Sequence, residues 1–285
     1  MKKTFYIPII IIITSLLTSA CYRLTNKVVG YGNSFETERN VDIRNVKEIN
    51  VNGSIDVEIF YSEDSRVIIT AQENITNLIS VNVMGDIAKV DYKPNVNVKT
   101  TDITKVTFYM PDIQNITVNG SGDVFYGGRF PTLSKMELKV NGSGDIKASE
   151  ICCNILNINI YGSGDIKTGE ILCNELNTNI RGSGDIELEY IDCYKINTSV
   201  NGSGDVEYSG YCDEHIIRIN GSGKIESYDL QSLFTQVDVM GSGNSYIWVI
   251  DALNVYINGS GNVYYRGNPD VSVHSRGSGK VIHRP

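Results

Sequence analysis

The sequence predicts an all-β fold, a parallel β-solenoid built from Gly-Ser-Gly repeats of about twenty residues. The tripeptide occurs nine times at steps of 18 to 22 residues, and the residues around each copy alternate between apolar and polar. This alternation is typical of a strand with one buried face. Because so short a unit cannot bury its own apolar face, identical units are expected to stack on one another.

Each repeat is predicted to run as a strand, a Gly-Ser-Gly bend, a short strand and a looser return. Ile158, Ile160 and Ile166 mark the apolar positions around Gly162, and glycine suits the bend because it accepts a positive φ. The turn-forming residues are Gly120, Ser121, Gly122, Gly142, Ser143, Gly144, Gly162, Ser163, Gly164, Gly182, Ser183, Gly184, Gly202, Ser203 and Gly204, with later copies from Gly221, Gly241, Gly259 and Gly277 and a degenerate copy at Gly53-Ser54-Ile55-Asp56.

Other repetitive β-folds fit the spacing less well. A propeller blade needs about 40 residues, and a calcium-binding β-roll repeats every ~9 residues. A leucine-rich repeat has a different spacing of Leu and Asn. The stacked solenoid is therefore the preferred interpretation.

The N-terminus has the layout of an export signal. Two lysines precede an apolar run at residues 5–17, which is followed by small residues and then Cys21. The run is shorter than the ~20 residues that a membrane-spanning helix needs. Small residues before a cysteine resemble the lipobox of bacterial lipoproteins, although Thr18 stands where that motif usually has Leu. We predict a lipoprotein signal peptide at 1–21 with Cys21 lipidated, for example by palmitate; a plain signal peptide is the alternative.

The rest of the chain divides into three predicted parts. Residues 22–39 are expected to form a linker, and residues 40–118 an N-terminal β region that caps the solenoid. An apolar solenoid end needs such a cap with a polar outer face. Residues 119–285 contain the regular repeats.

Four features of the sequence are distinctive as a set: Val46–Gly53, Ala71–Ile75, the Gly-Ser-Gly-Asp series and Gly259–Pro269. Together they resemble one bacterial family, the putative auto-transporter adhesin, head GIN domain family, over roughly residues 40 to 283. It implies a right-handed parallel β-helix and an exported protein, commonly a lipoprotein. It implies adhesion only by fold and location, because a fold does not determine a function.

Two columns of side chains follow the repeat. Aspartates one residue after the bends could hold a hard cation such as Ca²⁺. The preferred interpretation is that each accepts hydrogen bonds within its own turn, since Lys and Asn occupy equivalent places further along. The aspartates are Asp56, Asp123, Asp145, Asp165, Asp185 and Asp205.

Cysteines form the second column, with one in each repeat rather than in the converging pairs that a zinc site requires. They are Cys153, Cys173, Cys193 and Cys212. We interpret them as buried small side chains, and disulfides between neighbouring repeats stay open. The three histidines are scattered, and His215 aligns with inward-facing Leu156, Leu176 and Ile196. We predict no metal, no cofactor and no catalytic set.

Outward-facing aromatic residues give the one candidate ligand surface. Tyr246, Trp248 and Tyr264 could form a platform for sugar rings, although scattered exposed aromatics are common on protein surfaces. Asn157, Asn177 and Asn197, and likewise a second asparagine column, are expected to form amide ladders.

The net charge and the uniform repeats limit the classes of function that fit the sequence. The formal net charge is −8 and the basic residues are not clustered, which argues against nucleic-acid binding. We predict a non-catalytic lipoprotein of the cell envelope, attached to the outer membrane through its lipid, that serves adhesion or acts as a scaffold. Its ligand would be a surface glycan or a protein; the membrane face and the oligomeric state stay open. The alternative is a polysaccharide-binding or polysaccharide-active β-helix, but the uniform repeats carry no long insertion that would build a catalytic groove. Periplasmic sensing is a third option.

Overall fold

The computed structural model describes residues 26–285, and most of that range is β-strand. The predictions for Cys21 and the signal peptide lie outside the described residues. The elements are β1 (Asn26–Val29), β2 (Ser34–Arg39), β3 (Glu48–Val51), β4 (Asp56–Tyr61), β5 (Arg66–Gln72), α1 (Glu73–Thr76), β6 (Ile79–Met84), β7 (Ile87–Tyr92), β8 (Val96–Lys99), β9 (Lys105–Met110), β10 (Asn115–Val118), β11 (Val124–Gly127), β12 (Leu133–Val140), β13 (Ile146–Ile160), β14 (Ile166–Ile180), β15 (Ile186–Gly202), β16 (Val206–Gly221), β17 (Lys224–Gly241), β18 (Asn244–Gly259), β19 (Val263–Arg266), β20 (Asp270–Gly277) and β21 (Val281–His283).

The repeats stack in parallel, with equivalent residues directly opposite one another. Ile146 in β13 pairs with Ile166 in β14, which pairs with Ile186 in β15, and all three side chains are buried. The same pairing continues through β16, β17 and β18. The prediction of a parallel β-solenoid is therefore confirmed, including its inner column of isoleucines.

The Gly-Ser-Gly bends are packed against each other by backbone hydrogen bonds. The N–H groups of Ser163 and Gly164 both donate to the carbonyl oxygen of Gly142, at 3.0 and 3.2 Å. A Cβ atom on Gly162 would lie 2.1 Å from that same oxygen. Glycine is thus required because successive turns approach closely. The positive φ expected from the sequence is present at some bends, such as Gly221 with φ of 141°, but it is not the general cause.

The return segments absorb the variation in repeat length. The strands from β13 to β18 are 15 to 18 residues long. Their pairing shifts register at four places, none of them in a Gly-Ser-Gly bend: after Leu188, Glu207, Ser227 and Ser232. The inner columns before and after each bend consequently stay aligned although the step varies.

The degenerate copy at Gly53 forms a turn of the same stack. Its flanking strands β3 and β4 pair in parallel with β10 and β11, which places Ile49 opposite Ile116 and Val57 opposite Val124. Beyond them lie β7 and β9, and antiparallel strands follow: β6 pairs with β7, β5 with β9, and β2 with β5. In the range predicted as a linker, 22–39, the described part contains β1 and β2, because Phe35 and its neighbours pair with the strand that contains Ala71.

Candidate binding surface

The aspartate column forms a chain of hydrogen bonds that runs from turn to turn. The N–H of Asp165 donates to Oδ1 of Asp145 at 2.9 Å, and the N–H of Asp185 donates to Oδ1 of Asp165 at 2.9 Å. The same bond joins the other members of the column, from Asp56 up to Lys224. The interpretation that each aspartate bonds within its own turn was therefore wrong, since the acceptor serves the turn that follows it.

This arrangement also explains the residues that replace Asp. Asn262 and Lys280 donate their N–H groups to Asn244 and Asn262 in the same geometry, since an amide oxygen accepts as a carboxylate does. The side chain of lysine has no acceptor atom. The N–H of Lys224 therefore donates to Asp205, but Lys224 offers no side-chain oxygen to the turn that follows. Among the described residues, no group of three or more His, Cys, Asp or Glu side chains is arranged to hold a metal ion.

The pKa of the first aspartate in this column, Asp56, is raised. Desolvation is the largest influence on Asp56, and it raises the pKa of that carboxyl, whereas the hydrogen bond from Asp123 opposes the shift.

The two asparagine columns differ in their hydrogen bonds. Asn197 donates to Asn177, which donates to Asn157, at 2.9 and 3.1 Å, so that amide ladder is present. In the second asparagine column, Asn159 donates instead to a glutamate in the preceding turn.

The predicted aromatic residues lie together near the C-terminal end of the solenoid. Tyr246 and Tyr264 occupy opposite positions on β18 and β19, and their rings stack with centroids 4.8 Å apart and an 8° angle between planes. Tyr228 meets Tyr246 edge-on at 5.5 Å. The tyrosines therefore cover each other's faces, and what they offer to a ligand is ring edges and hydroxyl groups rather than a flat platform.

Trp248 lies two residues beyond Tyr246 on the same face of β18 and is 36% exposed. Its partner on the neighbouring strand is Arg266. Of the three predicted aromatic residues, Trp248 is thus the one outside the tyrosine stack. It extends the surface along the strand direction.

Two arginines that the sequence analysis did not identify complete this surface. The guanidinium carbon of Arg266 lies 4.3 Å from the ring centre of Tyr228, and that of Arg284 lies 5.4 Å from the ring centre of Tyr264. Both distances are within the range of cation–π attraction. Three tyrosines and these two arginines line an open recess of about 450 Å³. We call these five residues the Tyr–Arg surface: Tyr228, Tyr246, Tyr264, Arg266 and Arg284.

The histidines lie in three separate environments. His215 is buried in the column of Leu176 and Ile196, as expected, and burial lowers its pKa to about 3. His274 stacks on Tyr256 with ring centres 5.1 Å apart. His283 is exposed and lies 2.9 Å from the carbonyl oxygen of Gly267. The structure thus brings no two histidines into one site.

The sequence matches one known protein family. The sequence matches the family described as "Putative auto-transporter adhesin, head GIN domain" twice, over residues 45–169 and 154–269. The chain belongs to this family. No curated protein matches the sequence.

Solved structures of similar shape agree with the head GIN domain fold. A putative adhesin from Parabacteroides distasonis is 20% identical, with a TM-score of 0.74, covering 91% of this chain and 100% of that one. A putative adhesin from Parabacteroides merdae is 19% identical, with a TM-score of 0.70, covering 92% and 100%. A protein described as a putative lipid binding protein from Parabacteroides distasonis is 25% identical, with a TM-score of 0.64, covering 91% and 100%.

Two of these three structures are described as putative adhesins and one as a putative lipid binding protein, and none of the three is described as an enzyme. The family points to an extracellular or envelope-associated location. Within residues 26–285, no helix has the length and hydrophobicity to cross a bilayer.

Proposed function

We propose that the protein is a lipid-anchored, non-catalytic binding protein of the cell envelope, and that it adheres to glycans bearing carboxylate or sulfate groups. The family and the described roles of the structural neighbours support adhesion or binding. The lipid anchor is inferred from the sequence around Cys21. The choice of ligand depends on the Tyr–Arg surface.

The observation that carries this proposal is the pairing of each arginine with a tyrosine ring. Arg266 and Arg284 rest on Tyr228 and Tyr264, so their guanidinium groups are held in place before a ligand arrives. A guanidinium can donate two parallel hydrogen bonds to a carboxylate or a sulfate-like oxyanion. Two such groups beside tyrosine hydroxyls fit a chain that carries anionic and hydroxyl groups at regular intervals, which describes an acidic polysaccharide.

Neighbouring acidic residues fit the hydroxyl groups of the same ligand. Glu226 and Asp229 line a smaller recess beside Tyr228 and Arg266. Carboxylates accept hydrogen bonds from sugar hydroxyls, whereas they repel ligands made of negative charge alone. The mixture of arginine and carboxylate therefore favours a sugar with spaced anionic groups over a densely charged polyanion.

The test is to measure binding of purified protein to polygalacturonate, to a sulfated glycan and to a neutral glucan. We expect binding to an acidic polysaccharide that weakens as salt is added, because salt screens exposed charges. Arg266→Gln/Arg284→Gln should weaken it at least about tenfold, which corresponds to ~1.4 kcal/mol. Tyr194→Ala, which removes an exposed tyrosine outside the Tyr–Arg surface, is the matched control.

Equal affinity of the double arginine variant and the wild type would disprove the assignment of the surface. The same incubations should be analysed for new reducing ends or unsaturated sugars. Their appearance, and their loss in a surface variant, would favour the polysaccharide-active alternative instead.

A further inference from the structure

We propose that Cys173 and Cys193 form a disulfide that links two successive turns of the solenoid. The two residues are directly opposite one another on β14 and β15. Their Sγ atoms are 3.3 Å apart, and no other hydrogen bond among the described residues joins two sulfur atoms.

The usual spacing of paired strands is compatible with this bond. Paired strands lie about 4.8 Å apart, which falls within the ~4.4–6.8 Å range of Cα separations found across disulfides. The two sulfur atoms already face each other and need to approach to about 2.05 Å. No residue between the two turns has to move out of the way, since the sulfurs are in direct contact.

The neighbouring cysteines are less suited to the reaction. Cys212 lies opposite Cys193 on the next strand, but it is completely buried, and burial raises the pKa of its thiol. Burial likewise raises the pKa of Cys153 to about 12. Cys152 points elsewhere, with its sulfur 3.2 Å from the hydroxyl of Thr132.

The thiol of Cys173 donates to the sulfur of Cys193, and this hydrogen bond lowers the pKa of Cys193. The same hydrogen bond raises the pKa of Cys173, so Cys193 is the member of the pair that more readily forms the thiolate that disulfide exchange needs. Cys173 is also partly exposed, unlike Cys153, Cys193 and Cys212, so an external reagent can reach the pair from its side.

The oxidant is a disulfide, either an oxidised thiol–disulfide oxidoreductase or a small disulfide such as oxidised glutathione. One thiolate of the pair attacks a sulfur of the oxidant and releases its other half as a thiolate. The second cysteine then attacks the mixed disulfide and releases the remaining half. The two cysteine protons end on the two released thiols, so the pair is oxidised and the oxidant reduced by two electrons. Such bonds persist in oxidising compartments, and this part of the inference depends on the envelope location.

The test is peptide mass spectrometry of the full chain, purified without reductant and then incubated with oxidised glutathione. Unreacted thiols are alkylated in denaturant before digestion. We expect a cross-linked peptide containing Cys173 and Cys193, 2 Da lighter than the two reduced peptides, while Cys152, Cys153 and Cys212 are alkylated. Reduction should remove the cross-link and lower the melting temperature.

Matched variants separate the pair from the rest of the column. Cys173→Ser and Cys193→Ser should each abolish the cross-link, whereas Cys152→Ser should keep it. Circular dichroism checks that each variant is folded. Recovery of Cys173 and Cys193 only as alkylated peptides after oxidation, or a cross-link through Cys153 or Cys212 instead, would overturn the proposal.

Discussion

The hydroxyl of Thr198 lies 3.1 Å from Nε2 of His215, and both side chains are buried inside the solenoid. Thr198 also donates to the hydroxyl of Tyr208 at 3.3 Å, and Tyr208 contacts Thr178 at 2.5 Å. Four polar side chains from three successive turns are thus joined within an otherwise apolar core. Because burial lowers the pKa of His215 to about 3, its imidazole is neutral in the folded protein.

The first prediction concerns the dependence of stability on pH. The pKa of His215 falls from 6.5 in the unfolded chain to about 3 in the folded one. Between these values the unfolded chain binds a proton that the folded protein does not, so stability decreases as the pH falls through this window. The expected loss is about 1.4 kcal/mol per pH unit below 6.5. Urea unfolding at pH 7 and pH 4.5 measures it.

His215→Leu is the matched variant, because Leu156 and Leu176 occupy the same column in earlier turns. It should be less sensitive to acid than the wild type by about 2–3 kcal/mol over that interval. Carboxylates elsewhere affect both proteins equally, so only the difference between the two curves is informative. Identical curves would mean that His215 binds a proton in the folded state.

The second prediction concerns the aspartate chain. Asp165→Asn keeps the oxygen that accepts the N–H of Asp185 and should change the free energy of unfolding by less than about 1 kcal/mol. Asp165→Ala removes the acceptor of this solvent-exposed hydrogen bond, which should cost about 0.5–1.5 kcal/mol. Chemical denaturation of the two variants checks this order. A larger loss for Asn than for Ala would contradict the assigned role.

The third prediction is that calcium does not stabilise the protein. One oxygen of each of these aspartates, Oδ1, accepts a hydrogen bond from the next turn, and among the described residues no three acidic side chains converge on one point. An ion bound only by the folded state at a hundred times its Kd would add about 2.7 kcal/mol. We expect equal melting temperatures in EDTA and in millimolar calcium. A rise that disappears in Asp145→Asn/Asp165→Asn would establish a metal site.

The fourth prediction concerns the bend. Gly162→Ala places a Cβ atom 2.1 Å from the carbonyl oxygen of Gly142, so the two turns must separate. We expect a loss of about 1–3 kcal/mol or more. Ser163→Ala, in the same bend but exposed, should change stability by less than about 0.5 kcal/mol. Thermal unfolding of both variants distinguishes crowding between turns from a general effect of altering the bend.

The fifth prediction concerns the anchor. Cys21→Ala should abolish incorporation of labelled palmitate and release the protein from the membrane fraction, since the lipid would be attached to that sulfur. Cys152→Ala removes a cysteine far from the signal and should leave labelling unchanged. Unaltered fractionation and labelling of the Cys21 variant would refute lipidation at this site.

The stacking of successive turns was predictable because the Gly-Ser-Gly motif and its apolar flanks recur about every twenty residues. The apolar positions around Gly162 and its equivalents fix the register, and the structure follows that register. The partner of the Asp165 carboxylate was not predictable, because a column of identical residues is equally compatible with bonds inside a turn and bonds between turns. Only the position of the next backbone N–H distinguishes the two.

The binding surface was predictable only in part. Tyr246 and Tyr264 lie at equivalent repeat positions, and their proximity follows from the repeat. The proximity of Tyr228 and the two arginines to this pair could not be predicted from the sequence. The register shifts after Ser227, and long side chains such as Arg266 reach across turns. The orientation of the tyrosine rings depends on how each ring packs against the next, which residue spacing does not specify.

The hydrogen-bonded aspartate chain also bears on how the gene can change. Each turn offers one oxygen to its successor and one N–H to its predecessor, so duplicating or deleting one repeat unit of coding sequence leaves no unmatched group at the junction. Lys224 ends one such series, and the next begins at Asn244. Recombination between repeats can therefore lengthen or shorten the molecule in steps of about 4.8 Å, which sets how far the Tyr–Arg surface stands from the first turn without altering either end.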